Sequence, residues 1–222
     1  MPRCIGIILD GNRRWAKERG LPALEGHRRG FDNLKTIARA VRDRGIPHLV
    51  VFAFSTENWN RTPDEVNYLM DIFRQAIRDE IEELGKEGIR TRFLGERMRF
   101  ADDIQRGMQE VEEKTCANTA LTLWVCLSYG SRAEITAAAR TLVASGREIT
   151  EESLRAAMWS ADMPDPDIIV RTSGEQRLSN FLLWQAAYSE LFFVKTHWPD
   201  FNDKLLDEVL AEYARRERRH GK

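Results

Sequence analysis

The sequence predicts a single α/β domain built on a central, mostly parallel six-stranded sheet flanked by helices. Three observations carry that expectation. Six short apolar runs recur along the 222 residues, and longer stretches of helical period separate most of them. The runs are apolar on both faces, as strands covered from two sides must be. The chain is long enough for one sizeable core, and no repeat, linker or low-complexity segment divides it.

Taken in order, Cys4 to Leu9 form the first strand, which ends in a short polar turn opening a helix. Phe31, Leu34, Ile37, Ala38 and Val41 share one helical face, and Gly45 with Pro47 supplies the stop. Leu49 to Phe54 form the second strand. Thr62 as cap, Pro63 at the first helical position and Glu65 as the far half of a capping box then open a long helix. Its stripe is Val66, Leu69, Met70, Phe73, Ala76, Ile77, Ile81 and Leu84, running to Gly88. At 1.5 Å per residue, about 25 residues span about 37 Å. Ile89 to Leu94, Leu121 to Leu127, Ile168 to Val170 and Leu191 to Val194 complete the strands, with helices expected over 97–116, 131–145, 150–158 and 202–218.

Composition removes several function classes. A net charge of −1, from 34 basic and 35 acidic residues, gives no bulk attraction to nucleic acid, so anion affinity must come from local clustering. Cys4, Cys116 and Cys126 have no C-x-x-C spacing, which argues against structural zinc or a disulfide framework. No charged leader with an apolar core opens the sequence, and no apolar run approaches the roughly 18 residues of a membrane span. A soluble, cytoplasmic protein is expected.

Three clusters carry chemistry. The first strand ends in Asp10-Gly11-Asn12-Arg13-Arg14-Trp15, which puts a carboxylate, a flexible glycine and two arginines at the carboxyl edge of a parallel strand, where open sheets bind ligands. Gly11 lets the backbone approach a phosphate, the helix start offers free N–H groups, and the arginines donate charge-assisted hydrogen bonds. That design suits a diphosphate with a divalent metal; a strand-to-helix turn with a solvated basic face accounts for it equally. The second strand ends in Phe54-Ser55-Thr56-Glu57-Asn58-Trp59-Asn60-Arg61, whose polar groups also serve as plain turn residues. Trp15 and Trp59 beside the two polar edges suit a ligand with an apolar body and a charged head. The third cluster, Arg171-Thr172-Ser173-Gly174-Glu175-Gln176-Arg177-Leu178-Ser179-Asn180, offers two arginines on a glycine-containing loop as an oxyanion cradle. Glu190 is either a second carboxylate at that edge or an ordinary acid before a strand.

Together the stretches DGNRRWA, FSTENWNR and RTSGEQRLSNFLLWQ, in this order, resemble the cis-prenyltransferase family, including undecaprenyl diphosphate synthases. The resemblance covers nearly the whole chain and implies condensation of isopentenyl diphosphate with an allylic diphosphate such as farnesyl diphosphate. The implied product is a Z-polyprenyl diphosphate of the undecaprenyl lipid-carrier type. Asp10 would hold Mg²⁺ at the allylic diphosphate, surrounded by Gly11, Asn12, Arg13, Arg14 and His27, with Trp15 at the start of an apolar tunnel. Ser55, Thr56, Glu57, Trp59 and Arg61 match substrate contacts, and Asn58 matches a position that helps remove the isopentenyl proton. Arg171, Arg177, Leu178 and Ser179 match the isopentenyl diphosphate site. Glu190 matches a metal-associated position supplied by a partner subunit, so a homodimer is implied. Burial of a growing chain contributes about 3–4 kcal/mol per five-carbon unit, at roughly 0.8 kcal/mol per carbon-sized group. Ala53 and the apolar stripes of the long helices are the expected walls.

The sequence departs from the family pattern at Ala23, where an arginine is usual, and weaker allylic binding is expected from the lost contact. Trp124 and Ser128 stand where asparagines are usual, and Ser131 where a glycine is usual. The bulk of Trp124 is expected to shorten the cavity and the product. The trans-prenyltransferase D-D-x-x-D motif is missing, since Asp102-Asp103 is followed by Ile104, Gln105 and Arg106. The basic end, Arg215-Arg216-Glu217-Arg218-Arg219-His220-Gly221-Lys222, is a solvated helix end or makes transient contact with an anionic membrane surface. Three alternatives remain at this point. They are a short-chain or irregular prenyl diphosphate synthase, a non-catalytic partner subunit, and a single-strand nucleic-acid binder, which needs an extended aromatic and basic groove.

Overall fold

Five successive apolar or small residues leave Cys4–Ile8 no polar face, and the segment is buried along its whole length as strand β1. The computed structural model describes residues 1–217, with side chains described for all of these except 79–82. The remaining strands are β2 (His48–Ser55), β3 (Ile89–Leu94), β4 (Leu121–Tyr129), β5 (Ile168–Arg171) and β6 (Glu190–Phe193), within two residues of the runs read from sequence. Every pairing is parallel, in the order β3-β4-β2-β1-β5-β6. The chain builds one half from β1 through β2, β3 and β4, then returns to the other side of β1 with β5 and β6. The order thus reverses around β1, and the carboxyl ends of β1, β2, β4 and β5 converge where open sheets hold ligands.

The helices are α1 (Asn12–Glu18), α2 (Ala23–Asp43), α3 (Pro63–Gln75), α4 (Ile81–Lys86), α5 (Asp102–Thr115), α6 (Ser131–Ala144), α7 (Glu151–Ala157) and α8 (Asp203–Arg215). The long helix expected after Thr62 is not continuous, because a π-helical turn, Ala76–Glu80, separates α3 from α4. There α5 crosses closely: a Cβ on Gly107 would lie 2.5 Å from Ile77 Cγ2. The extra residue of a π turn re-phases the stripe, and Leu84 is still delivered to the core. The side chain of Ile81, an expected stripe position, and residues 218–222 of the basic end are outside what is described. The capping box expected at this helix does not form. Thr62 makes no side-chain cap hydrogen bond, and Glu65 turns instead to Arg61 and His27.

Alternation along the strands makes two cores. Ile5, Ile7, Leu49, Val51, Leu123 and Val125 face one side of the sheet, with α2, α3, α5 and α8 packed over them. Cys4, Ile8, Val50, Trp124 and Cys126 face the other, against Phe181 and Leu182. Burial pushes the Cys126 thiol upward, consistent with a small hydrophobe. Between the first face and its helices lies a narrow apolar cavity of about 40 Å³, bordered by Phe31, Ala53, Phe73, Leu84, Phe93 and Leu123. A register shift between Phe52 and Phe54 leaves Ala53 without a partner on β4. Trp124 does not touch this cavity. It lies on the opposite face, its Nε1 donating to His48 Nδ1 at 3.3 Å. The expected shortening of the cavity by Trp124 is therefore overturned by strand parity: Leu123 and Val125 face the cavity, so Trp124 faces away. Among the described residues no helix is long and apolar enough to cross a membrane.

Candidate active site at the sheet's carboxyl edge

The β1–α1 turn can be this tight only with glycine at its centre. Gly11 has φ 103°, and a Cβ there would meet His197 Nδ1 at 2.6 Å and Ser173 Oγ at 2.8 Å. The neighbouring Asp10 carbonyl is pinned by the Thr172 hydroxyl at 2.6 Å and the Trp198 N–H at 3.0 Å. Its carboxylate accepts from Arg171 Nη2 at 2.8 Å and from Arg14 Nη2 at 3.1 Å. Burial opposes ionisation of Asp10, but the hydrogen bonds and charges of Arg171 and Arg14 outweigh it and hold the carboxyl below its ordinary range.

Two cavities meet at this carboxylate. One, about 770 Å³, is bordered by Gly11, Arg13, Arg14, Lys17 and Ala23. The other, about 540 Å³, is bordered by Ser55, Glu57, Asn58, Arg132, Arg171 and Ser179. Asp10, Asn12, His27 and Arg61 border both. The three sequence clusters, 170 residues apart at their extremes, are thus brought to one edge, and Ala23 borders the first cavity.

The site's cations are interlocked with acids. Glu65, read from sequence only as a cap, accepts from Arg61 Nη1 at 2.8 Å, lies 3.3 Å from His27 Nε2 and 3.6 Å from Arg13 Nη1. Burial, then the Arg61 charge, hold His27 below its ordinary value, with Glu65 opposing them. Glu175 accepts from Arg14 at 2.9 Å and from Arg177 at 2.5 Å. Arg171 also donates to Ser179 Oγ at 2.7 Å and to the Arg177 carbonyl at 2.5 Å, which folds the third loop around its guanidinium. Leu178 packs against the second core rather than bordering either cavity.

Asn58 has its carbonyl oxygen occupied. Oδ1 accepts from the Ser55 N–H at 3.0 Å, and the Ser55 side chain accepts from the Asn58 N–H in return. An oxygen already bonded within its own 3₁₀ turn is a poorer proton acceptor still, so the structure leaves Asn58 its N–H₂ donors.

The tryptophans are braces and border neither cavity. Trp15 Nε1 donates to Asp200 Oδ1 at 2.8 Å under the Arg19 guanidinium. Trp59 Nε1 donates to Ser128 Oγ at 2.9 Å, with its ring against Phe54 and Phe100. Each indole N–H is engaged in the fold, which leaves the ring faces as what either tryptophan could offer a ligand. Thr56 donates to Glu57 Oε2 at 3.1 Å and likewise shapes the turn.

Glu190 does not join Asp10 within the chain. It opens β6, paired with Ile168, whereas the site lies beyond Arg171 at the other end of β5. Three residues of strand put it about 10 Å from that edge, and Arg216 Nη1 holds it at 2.7 Å. Parallel pairing decides this, since β6 must begin where β5 begins.

A relay that sequence gave no reason to suspect ties the loops together. Ser173 Oγ lies 2.8 Å from His197 Nδ1, and His197 Nε2 lies 2.9 Å from Glu18 Oε1. It links the third loop to α1 behind Gly11. Among the described residues no group of three or more His, Cys, Asp or Glu side chains gathers around one point. Within one chain a divalent metal here would therefore find at most two such side chains among the described residues, Asp10 being the candidate. That fits Mg²⁺, which keeps waters and takes one or two carboxylates plus substrate phosphates.

The family model described as "Putative undecaprenyl diphosphate synthase" matches residues 8–221. Isoprenyl transferase 2 of Bradyrhizobium diazoefficiens is 50% identical over 227 residues, covering 99% of this chain and 90% of that protein. A trans,polycis-polyprenyl diphosphate synthase of Thermobifida fusca, specific for (2Z,6E)-farnesyl diphosphate, is 46% identical, covering 100% of this chain and 81% of its own. The crystal structure of lavandulyl diphosphate synthase from Lavandula x intermedia, in complex with dimethylallyl diphosphate, superposes with a TM-score of 0.96 at 34% identity, covering 100% of this chain and 98% of that one.

Proposed function

The chain belongs to the undecaprenyl diphosphate synthase family of prenyltransferases, and we propose that it is a Mg²⁺-dependent cis-prenyltransferase joining isopentenyl diphosphate to an allylic prenyl diphosphate. The observation that carries this reading is the pair of arginine-lined cavities sharing one carboxylate, Asp10. The allylic diphosphate takes the cavity of Arg13, Arg14 and His27, and isopentenyl diphosphate that of Arg171 and Ser179.

In the reaction the allylic C1–O bond breaks and its electron pair leaves with the diphosphate. The isopentenyl double bond supplies the pair that forms the new C–C bond, and a proton leaves C2 as the double bond shifts. Negative charge grows on the departing oxygens, where Arg13 and Arg14 donate. Neutral His27 adds a donor without a competing charge. Arg171 holds the acceptor's diphosphate through one edge of its guanidinium while the other fixes the Ser179 loop. Asn58 donates through its N–H₂ and orients the acceptor; the C2 proton passes to a diphosphate oxygen or water. When bound at Asp10, Mg²⁺ supplies Lewis-acid stabilisation of the leaving diphosphate.

The apolar cavity beside Ala53 and Phe73 is the proposed seat of the growing tail, opening as the chain lengthens. An undecaprenyl-type product is the primary reading, in a cytoplasmic homodimer whose partner brings Glu190 to the metal and whose basic end meets the membrane surface. The resemblance to lavandulyl diphosphate synthase and the narrowness of the cavity favour a second reading, a short-chain or irregular product. A silent partner subunit is disfavoured because Asp10, Asn12, Arg14, Asn58 and Arg61 are all present.

Radiolabelled isopentenyl diphosphate with dimethylallyl, geranyl, farnesyl or geranylgeranyl diphosphate, with and without Mg²⁺, tests the proposal, and product sizing separates the two readings. Turnover in wild type and none in Asp10→Ala is expected. No incorporation with any starter, or full activity in Asp10→Ala, would sink it.

A further inference from the structure

We propose that Arg132, at the amino end of α6, is a further diphosphate-binding residue and receives the headgroup of isopentenyl diphosphate. The proposal rests on the reading above and adds a residue to it. Three arginines border the 540 Å³ cavity. Arg171 is paired with Asp10 and Arg61 with Glu65. Arg132 makes no side-chain hydrogen bond or ion pair with any described residue; only its backbone is engaged. A guanidinium that borders a cavity and has no carboxylate partner has its donors available to an incoming anion.

Its backbone is held from three directions, so the side chain starts from a fixed point. The Arg132 N–H donates to Asn180 Oδ1 at 2.9 Å, and the Ser131 N–H to the Asn180 carbonyl at 2.8 Å. Leu183 N–H donates to Ser131 Oγ at 3.0 Å. The turn is pressed onto the other two loops, since a Cβ on Gly130 would lie 2.6 Å from both Asn180 Nδ2 and Thr56 Oγ1. Beneath it, buried Glu134 accepts from the Tyr129 hydroxyl at 2.6 Å and from Gln185 Nε2 at 3.0 Å. The amino end of α6 adds its own positive potential.

Charge balance calls for such a residue. Glu57 borders the same cavity, with its oxygens bonded to Asn180 and Thr56 and not to an arginine. A diphosphate entering here meets two carboxylates, Glu57 and Asp10, and two arginines already committed to acids. Arg132 is the uncommitted cation. It borders the cavity of Arg171 and Ser179 and not that of Arg13 and Arg14, which selects the isopentenyl headgroup.

The test uses the full chain with Arg132→Gln and Arg132→Lys. With the allylic substrate saturating, the KM for isopentenyl diphosphate should rise about 10- to 100-fold in Arg132→Gln, as loss of one charge-assisted pair implies. The lysine variant should fall between. The allylic KM should stay within about twofold in both variants. Inorganic pyrophosphate, competing against isopentenyl diphosphate, should weaken by the same factor. An isopentenyl KM within about twofold of wild type in both variants, or equal rises in both KM values, overturns the assignment. Because it is read against a wild type that turns over, its failure is distinct from failure of the transferase reading, in which wild type itself would be inactive.

Discussion

Replacing Gly11 by alanine tests whether the turn, rather than its charged neighbours alone, builds the site. Gly11 sits at φ 103° and ψ 0°, a conformation that costs an L-residue about 1–3 kcal/mol. The new Cβ also meets His197 Nδ1 at 2.6 Å, Ser173 Oγ at 2.8 Å and His197 Cβ at 3.0 Å, all inside the 3.4 Å where ordinary contact begins. Both side chains are committed to each other, so relief separates the Ser173–His197 pair at a further cost of about 0.5–1.5 kcal/mol. The combined destabilisation is about 2–4 kcal/mol. At about 2–4 °C per kcal/mol for a chain of this size, the melting temperature should fall by about 4–16 °C. The allylic KM should rise with it, because Asp10 and α1 flank the displaced residue. In a His197→Ala background the ring is gone and Ser173 is free to turn, so the cost of Gly11→Ala should drop, with the 3.0 Å contact to the Cβ of residue 197 remaining. Calorimetry on the four proteins of this cycle gives the coupling. A melting temperature for Gly11→Ala within about 1 °C of wild type refutes the geometry, and an undiminished cost in the His197→Ala background refutes the role given to the ring.

Two further expectations concern the electrostatics and the cavity. His27 has a folded value below its ordinary 6.5, so the unfolded chain binds the proton first and stability is lost as pH falls from 6.5 through the folded value. Glu65→Gln removes the contributions that oppose this shift and should lower the His27 value further, read by ring-carbon NMR titration; an increase would count against the site's assigned charges. Leu123→Ala, on the cavity face, should lengthen the product, while Trp124→Asn, on the other face, should leave its length unchanged; longer product from Trp124→Asn overturns the face assignment.

The sheet was legible because its inner strands, β1, β2, β4 and β5, are short runs largely apolar on both faces, and parallel pairing with covering helices is the arrangement that hides both. Strand order was not, since nothing local tells β5 to return beside β1. Asp10, Arg13, Arg14, Ser55 and Arg171 could be put at this edge because each lies within a few residues of a strand's carboxyl end. Glu65 was misread because Thr62-Pro63-Asp64-Glu65 satisfies a capping pattern, while the partner that decides the matter, His27, is 38 residues away. The bracing bonds of Trp15 and Trp59 were not legible for a related reason: adjacency in sequence to polar groups does not say which way an indole points. His197 carried no signal at all, its partners lying 24 and 179 residues distant.

The same separation bears on how a chain of net charge −1 would hold the two diphosphates of the proposed reaction. Asp10, Glu65 and Glu175 each pair with at least two cations of the site. These pairs keep the arginines of three loops together without mutual repulsion before a substrate arrives. A diphosphate then trades places with carboxylates, and its net gain is the difference between two sets of charge-assisted bonds rather than the sum of the new ones. Release of Asp10 from Arg14 and Arg171 frees the carboxylate for a cation at the moment the arginines turn to phosphate, so metal and diphosphate should bind with positive coupling. Arg132 stands outside this exchange. Among the described residues it has no side-chain partner to surrender, and the full strength of its bond is available to the incoming headgroup.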